Sequence, residues 1–255
     1  MGMGGTMGET EPTVRIAMWS GPRNISTAMM RSFENRPDTA VWDEPFYAAY
    51  LAMTGIVHPM NDEILDAHET DWRAVADGVL GPVPGGARIF YQKHMTHHMI
   101  ADIGRDWMDH REIRHAFLIR KPEEVVASYS AKRDEVSLAD LGFLQQAEIF
   151  ERVADRLGEA PVVVDGADVL ADPRGVLSKL CGRLGIGFDE AMLFWPSGRR
   201  DSDGVWAAHW YHAVEASTGF AAREEREVAP LSDAGRAIAE AAKPAYERLA
   251  AYAIR

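Results

Sequence analysis

One segment of the chain decides the predicted fold: Ile16-Ala17-Met18-Trp19-Ser20-Gly21-Pro22-Arg23-Asn24-Ile25-Ser26-Thr27. Its first half is an apolar run typical of a buried strand, and its second half starts a helix after a tight turn, with Asn24 or Ser26 as the cap. The free N–H groups at a helix start bind anions readily. Arg23 and the hydroxyls of Ser26 and Thr27 would add further donors. The segment predicts an anion site, although an ordinary capped helix has the same outline.

The rest of the chain repeats this alternation of strand and helix. The predicted strands are residues 14–19, 40–42, 88–92, 113–119 and 161–164, and the predicted helices are residues 26–34, 97–107, 122–132, 138–157, 173–184 and 231–251. The connections are long enough for helical crossovers, which predicts an α/β fold with a mainly parallel sheet and helices on both faces. Ligands of such sheets bind beyond the carboxyl ends of the strands. Residues 188–220 lack clean periodicity and are predicted as a long ordered loop.

Composition narrows the class of protein. With 255 residues, 47% of them hydrophobic, the chain can bury one sizeable core, and we expect a flexible leader at residues 1–12 and a single domain at 13–255. Cys181 is the one cysteine, which predicts neither disulfides nor a cysteine metal site and favours a reducing, cytoplasmic location. The net charge of −12 argues against nucleic-acid binding. No run approaches the ~20 apolar residues that span a bilayer, so no membrane partner is expected. A homodimer is left open.

A second candidate phosphate site follows the predicted strand at 113–119. Arg120 ends that strand, Pro122 suits the first turn of the next helix, and Ser128 lies in its second turn. An arginine binds phosphate in a bidentate manner, and a serine hydroxyl adds a third bond. Taken alone, the two residues are more simply interpreted as a strand-end cation and a solvated helical serine.

Taken together, the two segments resemble the two nucleotide motifs of the sulfotransferases that use 3′-phosphoadenosine 5′-phosphosulfate (PAPS). Residues 22–27 are similar to the family's 5′-phosphosulfate loop, Pro-Lys/Arg-Ser-Gly-Ser/Thr-Thr/Ser, and depart from it at Asn24 and Ile25. Because glycine tolerates turns that a β-branched residue does not, the backbone at Ile25 is the open point. Arg120, Pro122 and Ser128 match the family's 3′-phosphate motif, Arg-x-Pro-x-x-x-x-x-Ser, at every named position.

This resemblance implies a three-layer P-loop-type α/β fold with a central, mainly parallel five-stranded sheet, PAPS as co-substrate and PAP as product. It assigns the 5′ side of the nucleotide to Arg23, Asn24, Ile25, Ser26 and Thr27. Arg120 and Ser128 would bind the 3′-phosphate. No metal ion is expected.

A weaker match lies in a later segment, Gly198-Arg199-Arg200-Asp201-Ser202-Asp203-Gly204-Val205-Trp206. It resembles a degenerate form of the family's Arg-Lys-Gly-x-x-Gly-x-Trp segment, which closes over the nucleotide. Arg199 and Arg200 are therefore candidate phosphate contacts, and Trp206 is a candidate wall of the site. A solvated basic pair beside a buried tryptophan is the alternative.

The transfer chemistry needs stabilisation of the leaving phosphate, to which we assign Arg23, and a base for the acceptor proton. Glu44, in Trp42-Asp43-Glu44-Pro45-Phe46, resembles the glutamate base of bacterial carbohydrate-type sulfotransferases. The alternative for Glu44 is an ordinary turn carboxylate before a proline. His94 is the second candidate base, because Lys93-His94 lies where the cytosolic family carries Lys-x-His, although that spacing lands on Met95.

The acceptor is predicted only as a small molecule with a hydroxyl or an amine. Aromatic residues near the motifs could line its pocket or belong to the core: Phe46, Tyr47, Tyr50, Trp195, Trp206, Trp210 and Tyr211. His94, His97 and His98 could also be metal ligands, but no cysteine or clear fourth ligand accompanies them. Two other functions stay open: a kinase-like P-loop phosphotransferase that uses magnesium and ATP, and a non-catalytic PAP or nucleotide binder.

Overall fold

The computed structural model describes residues 12–131, 136–221 and 230–255. Its strands are β1 (Val14–Ser20), β2 (Thr39–Asp43), β3 (Ile89–Met95), β4 (Ile113–Ile119) and β5 (Val162–Asp165). They form a five-stranded parallel sheet in the order β2-β3-β1-β4-β5. All residues of β1 are buried, as the central strand of a sheet covered on both faces requires. The predicted fold class is confirmed.

Helices cover both faces of the sheet. In the described part of the chain, the α-helices are α1 (Ser26–Glu34), α2 (Tyr47–Thr54), α3 (Asn61–Ala67), α4 (Trp72–Leu80), α5 (Pro122–Ser130), α6 (Leu138–Leu141), α7 (Phe143–Leu157), α8 (Gly166–Ala171), α9 (Pro173–Arg183), α10 (Ala207–Trp210), α11 (His212–Glu215) and α12 (Asp233–Ala250). Short 3-10 helices lie at Pro84–Gly86, Thr96–His98, Asp106–Asp109 and Glu190–Leu193. None of the described helices has the length and apolar character needed to cross a membrane.

The apolar residues form two clusters, one on each face of the sheet. Ile16 and Met18 of β1 belong to the first cluster, and Ala17 and Trp19 belong to the second. The period of two along β1 therefore separates the clusters, because successive side chains of a strand point to opposite faces. The same alternation in β3 decides which side chains reach the site described below.

The helix predicted at residues 97–107 is wrong. The chain forms the 3-10 helices Thr96–His98 and Asp106–Asp109 instead, with turns between them. Arg105 explains the difference, because its guanidinium donates to the carbonyl oxygens of Met99 (2.7 Å) and Ile100 (3.0 Å). These carbonyls are satisfied by a side chain, so the segment does not need helical hydrogen bonds.

The helix predicted at 138–157 is interrupted. Gly142 has a φ of 69° and separates α6 from α7, and a Cβ at this position would collide with Thr96. Helix α1 begins and ends as predicted, and α5, α9 and α12 agree within two residues at each end. Residues 188–220 are less irregular than predicted, since they include α10 and α11. Apart from Pro12, the expected leader at residues 1–12 lies outside the described residues, as does position 132 at the end of the predicted helix 122–132.

Candidate active site

A cavity of about 420 Å³ opens at the carboxyl ends of the central strands. The turn after β1 and the first residues of α1 line one end of it, together with Arg120 and Ser128. The other end is lined by Glu44 after β2, Lys93 on β3 and segments that follow β3 and α10. The cavity therefore lies where parallel α/β sheets bind ligands.

The turn after β1 adopts its shape without a glycine at position 25. Ile25 has a φ of −87°, an ordinary value for a β-branched residue, and the left-handed conformation falls on Arg23, with a φ of 56°. Asn24 holds the turn, because its Nδ2 donates to the carbonyl oxygen of Leu118 (3.2 Å) and its Oδ1 accepts from the N–H of Ile25 (2.9 Å). The two departures from the family motif are thus compatible with an ordered loop, and the strain is carried by Arg23.

The start of α1 is open toward the cavity. Ser26, Thr27 and Ala28 line the cavity, and in the described structure no side chain caps the first turn of α1. Backbone N–H groups at a helix start need partners, and with the helix dipole they form an anion site. This end of the cavity fits a phosphate or sulfate group.

The two predicted nucleotide motifs meet in the structure. Nε of Arg23 donates to Oγ of Ser128 (3.0 Å), although the residues lie 105 positions apart. Arg120 donates to the carbonyl oxygen of Arg23 and pairs with Glu124 (3.0 Å). Two guanidinium groups and a hydroxyl therefore converge beside the start of α1. We call Arg23, Ser26, Thr27, Arg120 and Ser128 the donor end of the cavity.

A buried ionic network forms the opposite end. Nζ of Lys93 bonds to Oδ1 of Asp43 (2.9 Å) and to Oε1 of Glu44 (2.7 Å), and Tyr211 donates to Oδ2 of Asp43 (2.8 Å). The side chains of Lys93 and Asp43 are 0% and 1% exposed, whereas Glu44 retains 12%. Glu44 is also held at a φ of 43°, a strained conformation of the kind that clusters at functional sites.

The charges of this network depend on one another. Burial raises the pKa of Glu44, and the neighbouring Lys93 opposes that rise without cancelling it. Burial alone would lower the pKa of Lys93, but Asp43, Glu44 and Tyr211 together raise it well above the ordinary value. Lys93 is therefore a cation, and the raised pKa of Glu44 suits a group that must accept a proton near neutral pH.

His94 does not reach the cavity. Alternation along β3 turns Lys93 and Met95 toward the cavity and His94 to the opposite face, where its ring stacks on Trp19 (4.6 Å) and lies near Trp107 (5.5 Å). Burial, with a smaller contribution from His115, lowers the pKa of His94 to about 3. The geometry removes His94 as a candidate base, because a base must lie within hydrogen-bonding distance of the acceptor.

Other histidines do line the cavity. His97 and His98 follow β3 in the 3-10 helix Thr96–His98, and His58 follows α2. The ring of His98 stacks on Tyr47 (4.6 Å) and Tyr50 (5.0 Å), and its Nε2 lies 3.9 Å from Oε2 of Glu44. Among the described residues, no group of three or more His, Cys, Asp or Glu side chains is arranged to hold a metal ion.

The structure keeps Arg199 and Arg200 away from the cavity wall. Their segment is anchored behind α1 by a buried ion pair between Arg31 and Asp203 (2.6 Å; 1% and 0% exposed). Arg200 faces Glu34 (3.9 Å) and donates to the carbonyl oxygen of Pro196 (2.8 Å). This anchoring places Arg200 beside Glu34, the last residue of α1.

The predicted aromatic wall is divided between cavity and core. Tyr47, Trp210 and Tyr211 line the cavity. Trp206 is 1% exposed and supports Tyr211 from behind, by donating to its hydroxyl (3.2 Å). The remaining candidates, Phe46, Tyr50 and Trp195, are buried and are not part of the wall.

The comparisons with known proteins agree with this geometry. The family described as "Sulfotransferase domain" matches residues 14–253. The chain belongs to this family. Two relatives from Arabidopsis thaliana, named branched-chain-amino-acid aminotransferase-like proteins 2 and 1, are 35% and 36% identical to it over 211 residues, which is 82% of this chain. The chain spans only 37% of the length of each relative.

Solved sulfotransferase structures share the fold of this family member. A sulfotransferase from Alicyclobacillus acidocaldarius aligns with a TM-score of 0.56 at 15% identity, over 95% of this chain and 96% of its own. The sulfotransferase domain from the curacin biosynthetic pathway aligns with a TM-score of 0.52 at 16% identity, over 92% and 99% of the two chains. At such low identity, these likenesses concern the fold alone.

Sequence reasoning missed the ionic network, considering Tyr211 only as a possible aromatic wall or core residue and His98 only as a possible metal ligand. Lys93, Asp43 and Tyr211 form the ionic network, and His98 stands beside Glu44. For Lys93, a usable signal was present: the period of two in β3 turns Lys93 to the face opposite His94. No local signal connects Tyr211 to this network, since it lies 118 residues beyond Lys93.

Proposed function

We propose that this chain transfers a sulfuryl group from PAPS to the hydroxyl or amine of a small acceptor and releases PAP. The observation that carries the proposal is the contact of Arg23 with Ser128, beside Arg120, at the start of α1. Two motifs that the family uses for the 5′ and 3′ ends of the nucleotide thus line a single cavity. Membership of the sulfotransferase domain family supports the same reading.

The residues at the donor end suit the binding of the nucleotide. Backbone N–H groups and the hydroxyls of Ser26 and Thr27 would bind the 5′-phosphosulfate, with Asn24 and Ile25 shaping the loop. Arg120 and Ser128 would bind the 3′-phosphate. Arg23 would neutralise the charge that develops on the leaving phosphate, as a fixed cation does best in a site shielded from water.

Glu44 is the proposed base. In the transfer, the bond from sulfur to the phosphate oxygen breaks, a bond from sulfur to the acceptor atom forms, and the acceptor proton goes to the carboxylate of Glu44. The Oε1 of Glu44 is held by Lys93, while Oε2 is directed toward His98 and the cavity. Lys93 and Asp43 would therefore act as positioning residues, because they fix the carboxylate through hydrogen bonds.

Calorimetric titration tests the proposal. We expect PAP to bind more tightly than adenosine 5′-monophosphate and than ATP with magnesium, because PAP alone presents the 3′-phosphate to Arg120. Release of PAP from PAPS in the presence of accepted alcohols would complete the assignment. Preference for magnesium and ATP would favour the kinase-like alternative, and PAP binding without turnover over a broad acceptor panel would favour a non-catalytic binder.

A further inference from the structure

We propose that the acceptor is an uncharged aromatic alcohol whose oxygen binds between Oε2 of Glu44 and the imidazole of His98. This inference rests on the proposed function, since it names the substrate class of the same cavity. His98, which belongs to neither nucleotide motif, would then help to determine which acceptor the cavity binds. Four features of the structure carry the inference.

The first feature is the hydrogen-bonding state of His98. Its side chain is 2% exposed and lines the cavity, yet neither ring nitrogen has a hydrogen-bond partner among the described residues. A buried polar group without a partner costs free energy, so such a group in a cavity wall indicates a ligand that satisfies it. Burial and the neighbouring His97 hold the pKa of His98 well below its ordinary value, so the imidazole is neutral.

The second feature is the position of His98 relative to the base. Its Nε2 lies 3.9 Å from Oε2 of Glu44, which is a gap that one oxygen atom can bridge with a hydrogen bond to each side. A hydroxyl suits this gap, since it donates its proton to the carboxylate and accepts from an imidazole N–H. Stacking of the imidazole on Tyr47 and Tyr50 holds the ring in place.

The third feature is the charge of the cavity wall. Among the described lining residues, the cations are Arg23, Arg120 and Lys93, and the acid is Glu44. Arg23 and Arg120 belong to the donor end, and Lys93 is already bonded to Asp43 and Glu44. An anionic acceptor near Glu44 would therefore meet no cation that is not already assigned to the nucleotide or bonded to a carboxylate. A cationic acceptor would have to compete with Lys93 for Glu44.

The fourth feature is the rest of the cavity lining around Glu44 and His98, which is apolar and aromatic. Trp210, Val214 and Phe220 line the cavity, as does Tyr47 at the start of α2. Aromatic rings gain both area burial and favourable ring contacts in such surroundings. The wall therefore favours an aromatic ring over a polyhydroxylated sugar, whose hydroxyls would lose their bonds to water.

A matched set of phenols tests the substrate class directly. The probes are 4-ethylphenol, 3-(4-hydroxyphenyl)propanoate and tyramine, which share a para-alkylphenol and are neutral, anionic and cationic at the far end. We measure their affinities by calorimetry for the full chain, with and without saturating PAP. We expect 4-ethylphenol to bind at least about tenfold more tightly than either charged probe, because a buried unpaired charge is costly. Tighter binding of a charged probe, equal binding of all three, or no binding of any would overturn the proposal.

Variants of His98 test the residue. His98→Phe keeps a stacked ring and removes both nitrogens, and we expect it to weaken 4-ethylphenol binding about tenfold by loss of the hydrogen bond while PAP affinity is unchanged. His98→Asn, which keeps a donor and an acceptor, should retain more of the affinity. His94→Phe is the matched control, since it changes an equally buried histidine on the opposite face of the sheet. If His98→Phe binds 4-ethylphenol like the wild type, His98 has no such role.

The proposed function and the proposed acceptor class are refuted by different measurements. Absence of PAP binding would refute the proposed function, whereas phenol binding to the PAP-free chain would still report on the acceptor site. Normal PAP binding combined with preference for a charged phenol would leave the sulfotransferase reading intact and refute the acceptor class.

Discussion

The two ends of the cavity are built in different ways. The donor end combines the uncapped start of α1 with Arg23 and Arg120, and the Glu124 that pairs with Arg120 is not part of the cavity lining, so this end presents positive groups to the cavity. At the other end, Lys93 is offset by Asp43 and Glu44, and the surrounding lining is largely neutral. We call Glu44, Lys93, His98 and Tyr211 the acceptor end.

This difference explains how an acidic protein could bind an anionic co-substrate. The chain carries a net charge of −12, so long-range attraction does not favour a nucleotide. Attraction must instead come from short-range contacts, and the donor end concentrates them. The charge-balanced acceptor end has a different proposed task, which is to position the carboxylate of Glu44.

The largest expected effect concerns Glu44, the proposed base at the acceptor end. Glu44→Gln keeps the shape of the side chain but cannot accept a proton, and we expect turnover of PAPS to fall about 10²–10⁴-fold. PAP affinity should be unchanged, because the proposed nucleotide site is the donor end. The measurement is PAP release with an alcohol that the wild-type chain sulfates. Loss of PAP binding together with turnover would show that the two ends are not separable.

The pH profile examines the same carboxylate. Because Glu44 must be deprotonated to act, and because its pKa is raised by burial, wild-type turnover should decline on acidification at a pH above that of an ordinary glutamate. PAP affinity measured over the same range is the control. A decline that begins only near the ordinary glutamate pKa would contradict the assignment.

The next effect is on stability. Lys93→Met removes the cation between two carboxylates while keeping an unbranched side chain, and we expect unfolding to become easier by about 3–5 kcal/mol, since breaking a buried pair leaves uncompensated charge. Urea denaturation gives the value. Lys243→Met, at an exposed position of α12, is the matched control. Equal stability of both variants would mean that the network is not ionic in the folded protein.

The donor end could be predicted from sequence because its parts are local. Arg23 to Thr27 form one continuous segment, Arg120 and Ser128 another, and both follow strands whose carboxyl ends meet in a parallel sheet. The five-stranded sheet was predictable for the same reason, since each strand is a continuous apolar run.

The acceptor end could be predicted only in part, because long-range contacts assemble it. Asp43 and Tyr211 lie 50 and 118 residues from Lys93. His94 was a plausible base by type and position, but the face of a strand, not its residue types alone, decides which side chain meets the cavity. The incorrect helix at 97–107 has a similar cause, since the guanidinium of Arg105 replaces helical bonds in a way that periodicity does not reveal.

Removal of Arg120, the proposed ligand of the 3′-phosphate at the donor end, should have a smaller effect. Arg120→Ala is expected to weaken PAP binding by about 1.5–3 kcal/mol, through loss of a charge-assisted hydrogen bond. Affinity for adenosine 5′-monophosphate, which lacks the 3′-phosphate, should change little and serves as the internal control. Because Arg120 also bonds to the turn at Arg23, a thermal unfolding curve must accompany the calorimetry. Equal weakening of both nucleotides would indicate a role in loop structure rather than in 3′-phosphate binding.

The smallest expected effect is that of Arg200 on PAP affinity, for which the sequence resemblance and the structure make different predictions. Arg200 matches the family's basic pair in sequence, but in the structure it faces Glu34 at 3.9 Å and lies outside the cavity wall. We expect Arg200→Ala to change PAP affinity by less than about 0.5 kcal/mol, since partly exposed ion pairs contribute little. Calorimetry beside Arg120→Ala gives a direct contrast between two arginines chosen by the same resemblance. A loss as large as that of Arg120→Ala would mean that the 198–206 segment moves onto the nucleotide when PAP binds, and the donor end would then include it.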